Sequence, residues 1–408
     1  MKLSITLPKF LRIGALPLVL LALMAIAAVV AFSRYAFGIG AISDLSYSYP
    51  WGFWISFDLF TGVVISSGGF LMAGTVYILR IKEFQPLLRP SVLTAFLGYI
   101  MVAVALLVDL GQPLRIWYMM IHWNHTSVLL EIGICVMSYL TVLAIEFAPV
   151  VLERFPKLHR VAHLIHKFIM PFVIFGVVLS TLHQSSLGSL LLIQPTKLHP
   201  LWWTPILPIM FFTSAISVGL SMIILESSLS SRYFQRGLET HLLEKLAKAL
   251  PIALGIYGLL KFGELAVAGE LGYLFTSGTM SILFWAEILI GIITPMVWFS
   301  IKKNRTSSNG LLTGAIITLL GLILNRFNVS WFAVKHPDPL TYIPTFMGNV
   351  DYFPTFPEVA VSIGIFAAGI MAFGLLAKYF PVFEAEHETA ETYQPAHGLT
   401  PIPSAADD

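Results

Sequence analysis

Residues 126–150 read Thr126-Ser-Val-Leu-Leu-Glu131-Ile-Gly-Ile-Cys135-Val-Met-Ser-Tyr-Leu-Thr-Val-Leu-Ala-Ile-Glu146-Phe-Ala-Pro-Val150. A helix crossing ~30 Å of hydrocarbon needs roughly 20 apolar residues, and this run supplies them. Yet it carries two carboxylates, Glu131 and Glu146. Ionisable groups are expensive in hydrocarbon, and a lone one usually marks a pathway for protons, ions or a redox ligand. Asp58, Asp109, His183 and Glu287 repeat the pattern in other apolar runs.

Working outward, ten such runs are found, at about 13–33, 53–79, 91–110, 126–150, 167–192, 203–226, 249–269, 279–300, 310–328 and 357–378. A mean hydropathy of +0.82 over the whole chain fits a protein whose solvent is a bilayer. The fold class expected is an all-α integral membrane protein. The first run is longer than a signal-peptide core and lacks a small-residue cleavage site, so it reads as a retained helix. Cys135, the single cysteine, excludes internal disulfides and any iron–sulfur cluster held by this chain alone. The net charge of +2 gives no indication of a nucleic-acid partner.

Placing the N-terminus in the cytoplasm puts eighteen of the 24 Lys and Arg on that side. This is the bias expected of inner loops, and an even span count returns the C-terminus to the same side. The expected location is a bacterial inner membrane with both termini cytoplasmic. The outer loops are aromatic and Pro-rich instead, as in His199-Pro-Leu-Trp-Trp-Thr-Pro205 and from Trp331 to Pro357. They serve either as an interfacial aromatic belt or as a docking surface for another subunit. The tail 384–408 is polar and acidic, the composition of a disordered segment.

Spans 2–5 and 6–9 read as two copies of a four-helix bundle, flanked by spans 1 and 10. Ser127-Val-Leu-Leu-Glu131 opens span 4, and Ser281-Ile-Leu-Phe-Trp-Ala-Glu287 opens span 8. The chain then divides into 1–50 (first helix and outer loop), 51–192 (first bundle), 193–328 (second bundle), 329–383 (outer loop and last helix) and the tail. Asp58 and Glu131 lie roughly 8 Å from the outer surface and His183 roughly 13 Å, with Asp109 closing span 3 on that face. Four consecutive helices thus place ionisable groups in one layer, where they could converge on an outer pocket. Asp109 could instead pair with Arg115 as a helix-end residue, and Lys261 could neutralise Glu264 three residues away. Glu146 and Glu226 lie toward the inner side, either as interfacial residues or, with Glu131 and Glu287, as steps of a protonatable chain. The small-residue run from Thr61 to Gly74 suits close helix packing.

Of the 11 His, only His183 is clearly intramembrane, so paired axial histidines for a haem are not expected. No metal-ligand spacing appears either, and none is expected to bind. Electron transfer would therefore need partner subunits.

Trp51-Gly-Phe-Trp-Ile-Ser-Phe-Asp-Leu-Phe-Thr-Gly62, Asp109-Leu-Gly-Gln-Pro-Leu-Arg115, Ser127-Val-Leu-Leu-Glu131, Leu182-His-Gln-Ser-Ser-Leu-Gly-Ser189, Leu198-His-Pro-Leu-Trp-Trp-Thr-Pro205 and Asn325-Arg-Phe-Asn-Val329 carry a resemblance. Together, over about 50–365, they resemble the NrfD/polysulfide-reductase family of quinone-interacting membrane subunits. The likeness is greatest to its ten-helix branch, which holds the hydrogenase-2 and quinone-reductase-complex membrane subunits. The resemblance implies a haem-free, two-bundle protein that binds menaquinone or ubiquinone near the outer face of the first bundle. It implies an iron–sulfur subunit docked outside, and a further redox subunit of hydrogenase, molybdopterin or multihaem cytochrome type. It makes Asp58 and His183 quinone-site residues; Asp109 and Trp54 are expected beside them, with His183, Asp58 and Glu131 catalytic. Glu131, Glu146, Glu226 and Glu287 would then transfer protons. The competing readings are a haem b membrane anchor and a proton-coupled secondary transporter.

Overall fold

Short polar side chains set where several helices begin. Ser127 Oγ accepts the backbone N–H of Leu130, Ser307 Oγ that of Gly310, and Thr355 Oγ1 that of Glu358. Each satisfies one of the N–H groups that a helix start leaves without a partner. The computed structural model describes residues 14–46, 49, 51–337, 344–345 and 352–383. Among them are ten helices long and apolar enough to cross a membrane. In chain order, spans 1–5 are Ala15–Phe37, Trp54–Ile78, Lys82–Asp109, Val128–Leu152 and Ile169–Leu192. Spans 6–10 are Leu207–Phe234, Thr240–Ala268, Thr279–Ser300, Ser308–Phe332 and Phe356–Tyr379. The all-helical membrane architecture expected from the sequence is present.

Span 3 begins at Lys82 rather than 91, span 6 runs past 226 to Phe234, and span 7 begins at Thr240 rather than 249. The apolar run measures hydrocarbon thickness, while the helix continues into the polar layer because its backbone bonds are made internally. Ion pairs tie those extensions together. Arg89 holds Glu153 at 3.0 Å, Lys245 meets Glu83, and Arg305 approaches Glu244 at 3.6 Å.

Spans 2–5 close one ring of neighbours and spans 6–9 a second. Spans 5 and 2 both pack on span 6, which joins the bundles, while span 1 lies on span 10 and span 10 on span 3. Lipid-soluble helices gain little from apolar burial, so close backbone approach has to hold them. Gly291 and Gly321 provide it between spans 8 and 9, where a Cβ on Gly291 would stand 2.9 Å from the Gly321 carbonyl carbon. The run 61–74 does the same in span 2. Gly68 faces Gly219, and Ser67 donates to the Ala215 carbonyl at 2.8 Å.

On the loop side, Leu198 bridges Val334 and the His199 N–H donates to the Ala333 carbonyl at 2.9 Å. A two-residue ladder pairs His336–Pro337 with Pro344–Thr345. The expected tail 384–408 and part of the loop 329–356 lie outside the described residues.

Candidate functional site

Asp58 sits in a π-helical opening of span 2, Trp54–Leu59, a wider turn that often marks functional positions. It is 3% exposed, and Ser362 of span 10 donates to its Oδ2 at 2.5 Å. One turn before it, Trp54 Nε1 donates to the Glu358 carbonyl at 3.1 Å. Glu358 is fully buried, and its carboxylate accepts the Asp44 N–H at 2.9 Å and the Tyr352 hydroxyl at 2.6 Å. Asp109 lies within electrostatic range of Asp58, Glu358 and Arg34. Three carboxyl groups and one guanidinium therefore meet where spans 1, 2, 3 and 10 come together.

Arg34 was the group the sequence reading missed. It reaches from span 1 to the end of span 3, donating to the Val108 carbonyl at 2.7 Å and to that of Leu110. Arg115, the partner first considered for Asp109, turns instead to the Tyr118 ring at 5.6 Å. The signal for Glu358 was available in Thr355-Phe-Pro-Glu358, which has the spacing of a capping box. Ser362 and Arg34 gave none, because only packing brings span 10 and span 1 to this corner.

His183 lies deeper, fully buried on span 5. Its Nδ1 stands 2.9 Å from the Tyr99 hydroxyl of span 3, and its Nε2 has no hydrogen-bond partner among the described residues. Tyr99 packs edge-on to Tyr139 of span 4, ring centres 4.8 Å apart. Next to His183, Gln184 Nε2 donates to the Val63 carbonyl of span 2 at 3.1 Å, while its Oε1 is unpartnered. With Tyr99 donating to Nδ1, Nε2 carries the ring proton and can donate to a carbonyl oxygen.

Glu131 accepts from Ser186 of span 5 at 2.6 Å and is exposed on the outer surface of the helices. Among the described residues it forms no hydrogen bond with Asp58, Asp109 or His183. Ser186 and His183 are one turn apart on span 5, which links the two groups along one helix face. The structure thus gathers Asp58, Asp109 and Trp54 at the span 10 corner, sets His183 against Tyr99, and leaves Glu131 at the rim. Glu146 is half-buried on span 4, its Oε1 close to Gly176 of span 5.

The second bundle holds a separate charged cluster. Glu287 is 1% exposed and accepts four donors: Lys261 and Asn325 (2.9 Å) on Oε1, Trp202 (2.8 Å) and Asn328 (2.8 Å) on Oε2. Lys261 therefore pairs across to span 8 rather than with Glu264 on its own helix. Arg326 donates to Asn325 Oδ1 and Ser214 Oγ, both at 2.7 Å, and its guanidinium lies 4.0 Å from the Phe211 ring centre. Glu131 bonds to span 5 and Glu287 to span 9, the helix following each, as matched positions of a repeat would.

In the loops, burial and the nearby Lys335 ammonium lower the His199 imidazole to about 4, so it is neutral at physiological pH. Burial raises the Tyr49 and Tyr352 phenols and lowers Arg236.

The family model described as "Polysulphide reductase, NrfD" matches residues 42–332. A Nitratidesulfovibrio vulgaris protein is 36% identical over 89% of this chain and 92% of its own. The probable Ni/Fe-hydrogenase 2 b-type cytochrome subunit of Escherichia coli K12 is 34% identical, over 86% of this chain and 87% of its own. The menaquinone reductase integral membrane subunit of N. vulgaris is 28% identical, over 88% and 89%. The matched stretch runs from the loop before span 2 to the end of span 9, and so takes in Asp58, His183 and Glu287 alike. The chain belongs to the NrfD polysulphide reductase family.

Proposed function

We propose that this chain is the quinone- or quinol-interacting membrane subunit of a respiratory oxidoreductase complex, with its site in the first bundle. The observation that carries the reading is His183, whose ring is fixed through Nδ1 by Tyr99 while a buried Nε2 stays free. A quinone carbonyl needs such a donor. Its two-electron reduction also takes up two protons, which buried acids and an imidazole can supply. Asp58 and Asp109, held at the span 10 corner by Ser362 and Arg34, serve as the carboxyl groups at the outer end, with Trp54 bracing span 2 beside Asp58. A menaquinone reductase among the relatives makes menaquinone the first ligand to try, with ubiquinone as the second.

The relative with a b-type cytochrome name raises the haem reading. A membrane haem b is commonly held by paired histidines, and the ring that meets His183 is that of Tyr99 rather than a second imidazole. The quinone reading is favoured for that reason.

Electrons reach the site, in this reading, from an iron–sulfur subunit seated on the outer loops 34–50, 193–202 and 329–356, backed by a further redox subunit. Pairing of Leu198 with Val334 gives part of that surface a stiff base. The chain would sit in a bacterial inner membrane with its termini cytoplasmic, following the Lys and Arg bias. Glu131, Glu146 and Glu226 are assigned to proton transfer. Glu287 could join them only by releasing Lys261.

The test is His183→Ala. Quinone-coupled turnover should vanish while the complex still assembles. Unchanged quinone activity in an assembled variant would refute the assignment.

A further inference from the structure

Between spans 2, 3 and 6, in the half of the membrane away from Asp58, a narrow chamber is lined by Ser66, Ser91, Thr94 and Glu226. Glu226 is 7% exposed, and neither carboxylate oxygen has a hydrogen-bond partner. The Ser91 and Thr94 hydroxyls also lack one. Ser66 donates its proton to the Gly62 carbonyl at 2.9 Å and keeps its lone pairs. Ser227 and Ser230 stand beside the carboxylate without forming a bond of good geometry to it. Arg236 lies within electrostatic range of the carboxylate, though neither carboxylate oxygen accepts a hydrogen bond from it, and its buried Nε is unpartnered. Its Nη2 donates to Ser230 Oγ at 2.9 Å, and its guanidinium lies 4.0 Å from the Phe383 ring centre.

An ionised carboxylate at this depth has to be neutralised. A proton would do so on one oxygen, but would leave the unpartnered hydroxyls around it without a role. A hard cation uses them all, because it takes oxygen ligands from carboxylates, hydroxyls and water together. One carboxylate balances one positive charge, whereas calcium sites usually recruit several. The chamber has room for about one water-sized particle, enough for a single bare alkali ion.

We propose that Glu226, Ser91, Thr94 and Ser66 form a binding site for a single monovalent cation such as Na+, which exchanges with a proton at the Glu226 carboxylate. The site needs neither His183 nor Asp58, so it stands or falls apart from the quinone reading.

The test uses the purified full-length protein in lipid nanodiscs. Equilibrium dialysis with radioactive sodium should show one bound ion per chain, displaced by unlabelled Na+ but not by choline. Glu226→Gln should abolish binding, and Ser91→Ala combined with Thr94→Val should weaken it several-fold, each variant remaining monodisperse. Dicyclohexylcarbodiimide labelling of Glu226, read by mass spectrometry, should slow several-fold in Na+ relative to choline at equal ionic strength. Failure to detect Glu226-dependent sodium binding would overturn the proposal. So would a labelling rate that responds to pH alone, since Glu226 would then be a protonated carboxyl only.

Discussion

The Tyr99 hydroxyl and His183 Nδ1 stand 2.9 Å apart across spans 3 and 5, both residues fully buried. That contact fixes the imidazole ring and, when the phenol donates, leaves the proton on Nε2. Tyr99→Phe removes the hydroxyl while keeping the ring packed against Tyr139. The loss of one net hydrogen bond is worth about 1 kcal/mol, or roughly five- to tenfold in a rate or affinity that depends on it. Quinone-coupled turnover should fall by that factor in Tyr99→Phe, with the dye-linked activity of the partner subunits unaffected. An unaltered quinone rate and KM would remove Tyr99 from the positioning role.

The Lys261–Glu287 pair makes a different prediction. Both side chains are almost wholly inaccessible, at 3% and 2% exposure. Breaking a buried pair by removing one partner costs about 3–5 kcal/mol, since the remaining charge has nothing to answer it. Lys261→Met should therefore lower the thermal midpoint of the purified protein sharply. Lys261→Met combined with Glu287→Gln should recover part of it, because the carboxylate left without its ammonium is then neutral, while Arg326 remains buried beside it. Equal losses in the single and double variants would show that the pair is not the unit of stability.

Much of this was legible in the sequence. Ten apolar runs gave the ten spans because the cost of exposing backbone to lipid forces helices to cross whole. Asp58, His183 and Glu287 stood out because a charge in hydrocarbon needs a reason. What could not be read was which helix answers each of them. Ser362 and Arg34 meet Asp58 and Asp109 from spans 10 and 1, and nothing in their local sequence sets that partnership. Lys261 looked paired to Glu264 by helical spacing, yet the tertiary contact to Glu287 prevailed, since the latter brings three further donors to the same carboxylate. The expected single pocket of Asp58, Asp109, Glu131 and His183 assumed that equal depth means a shared space. Depth fixes only one coordinate, and Glu131 at that depth turns to the rim.

His199 carries the pH prediction. Its ring is lowered from an ordinary 6.5 to about 4, and its Nδ1 accepts the Leu201 N–H at 3.2 Å. The unfolded chain takes up this proton near 6.5 and the folded chain only near 4. Stability from the neutral ring is thus complete above about pH 6.5 and declines as pH falls toward 4. Protection of the amides at 198–204 and 333–335, measured against the intrinsic exchange rate at each pH, should fall as pH is lowered through that window. His199→Gln, which cannot titrate, should flatten the pH dependence. Wild-type protection that stays level between pH 7 and 4 would contradict the burial argument.

The last prediction concerns charge movement. With both termini cytoplasmic, as proposed, the quinone site lies toward the outer face, with Asp58 near the start of span 2, and Glu226 and Glu146 lie toward the opposite side. Protons drawn from the inner side for quinone reduction near the outer side would move charge across the bilayer. Each charge is worth ~2.3 kcal/mol per 100 mV, a load the redox reaction has to carry. The alternative is local exchange of protons with the outer side through the exposed Glu131, which is electroneutral. The two are separated by the complex reconstituted in sealed liposomes with a voltage-sensitive dye. Coupled turnover should build a potential in wild type, and Glu226→Gln should lower it while Glu131→Gln slows turnover and potential together. A wild type that turns over quinone without any potential would make the inner acids structural. The first bundle would then be a quinone site supplied entirely from its outer rim.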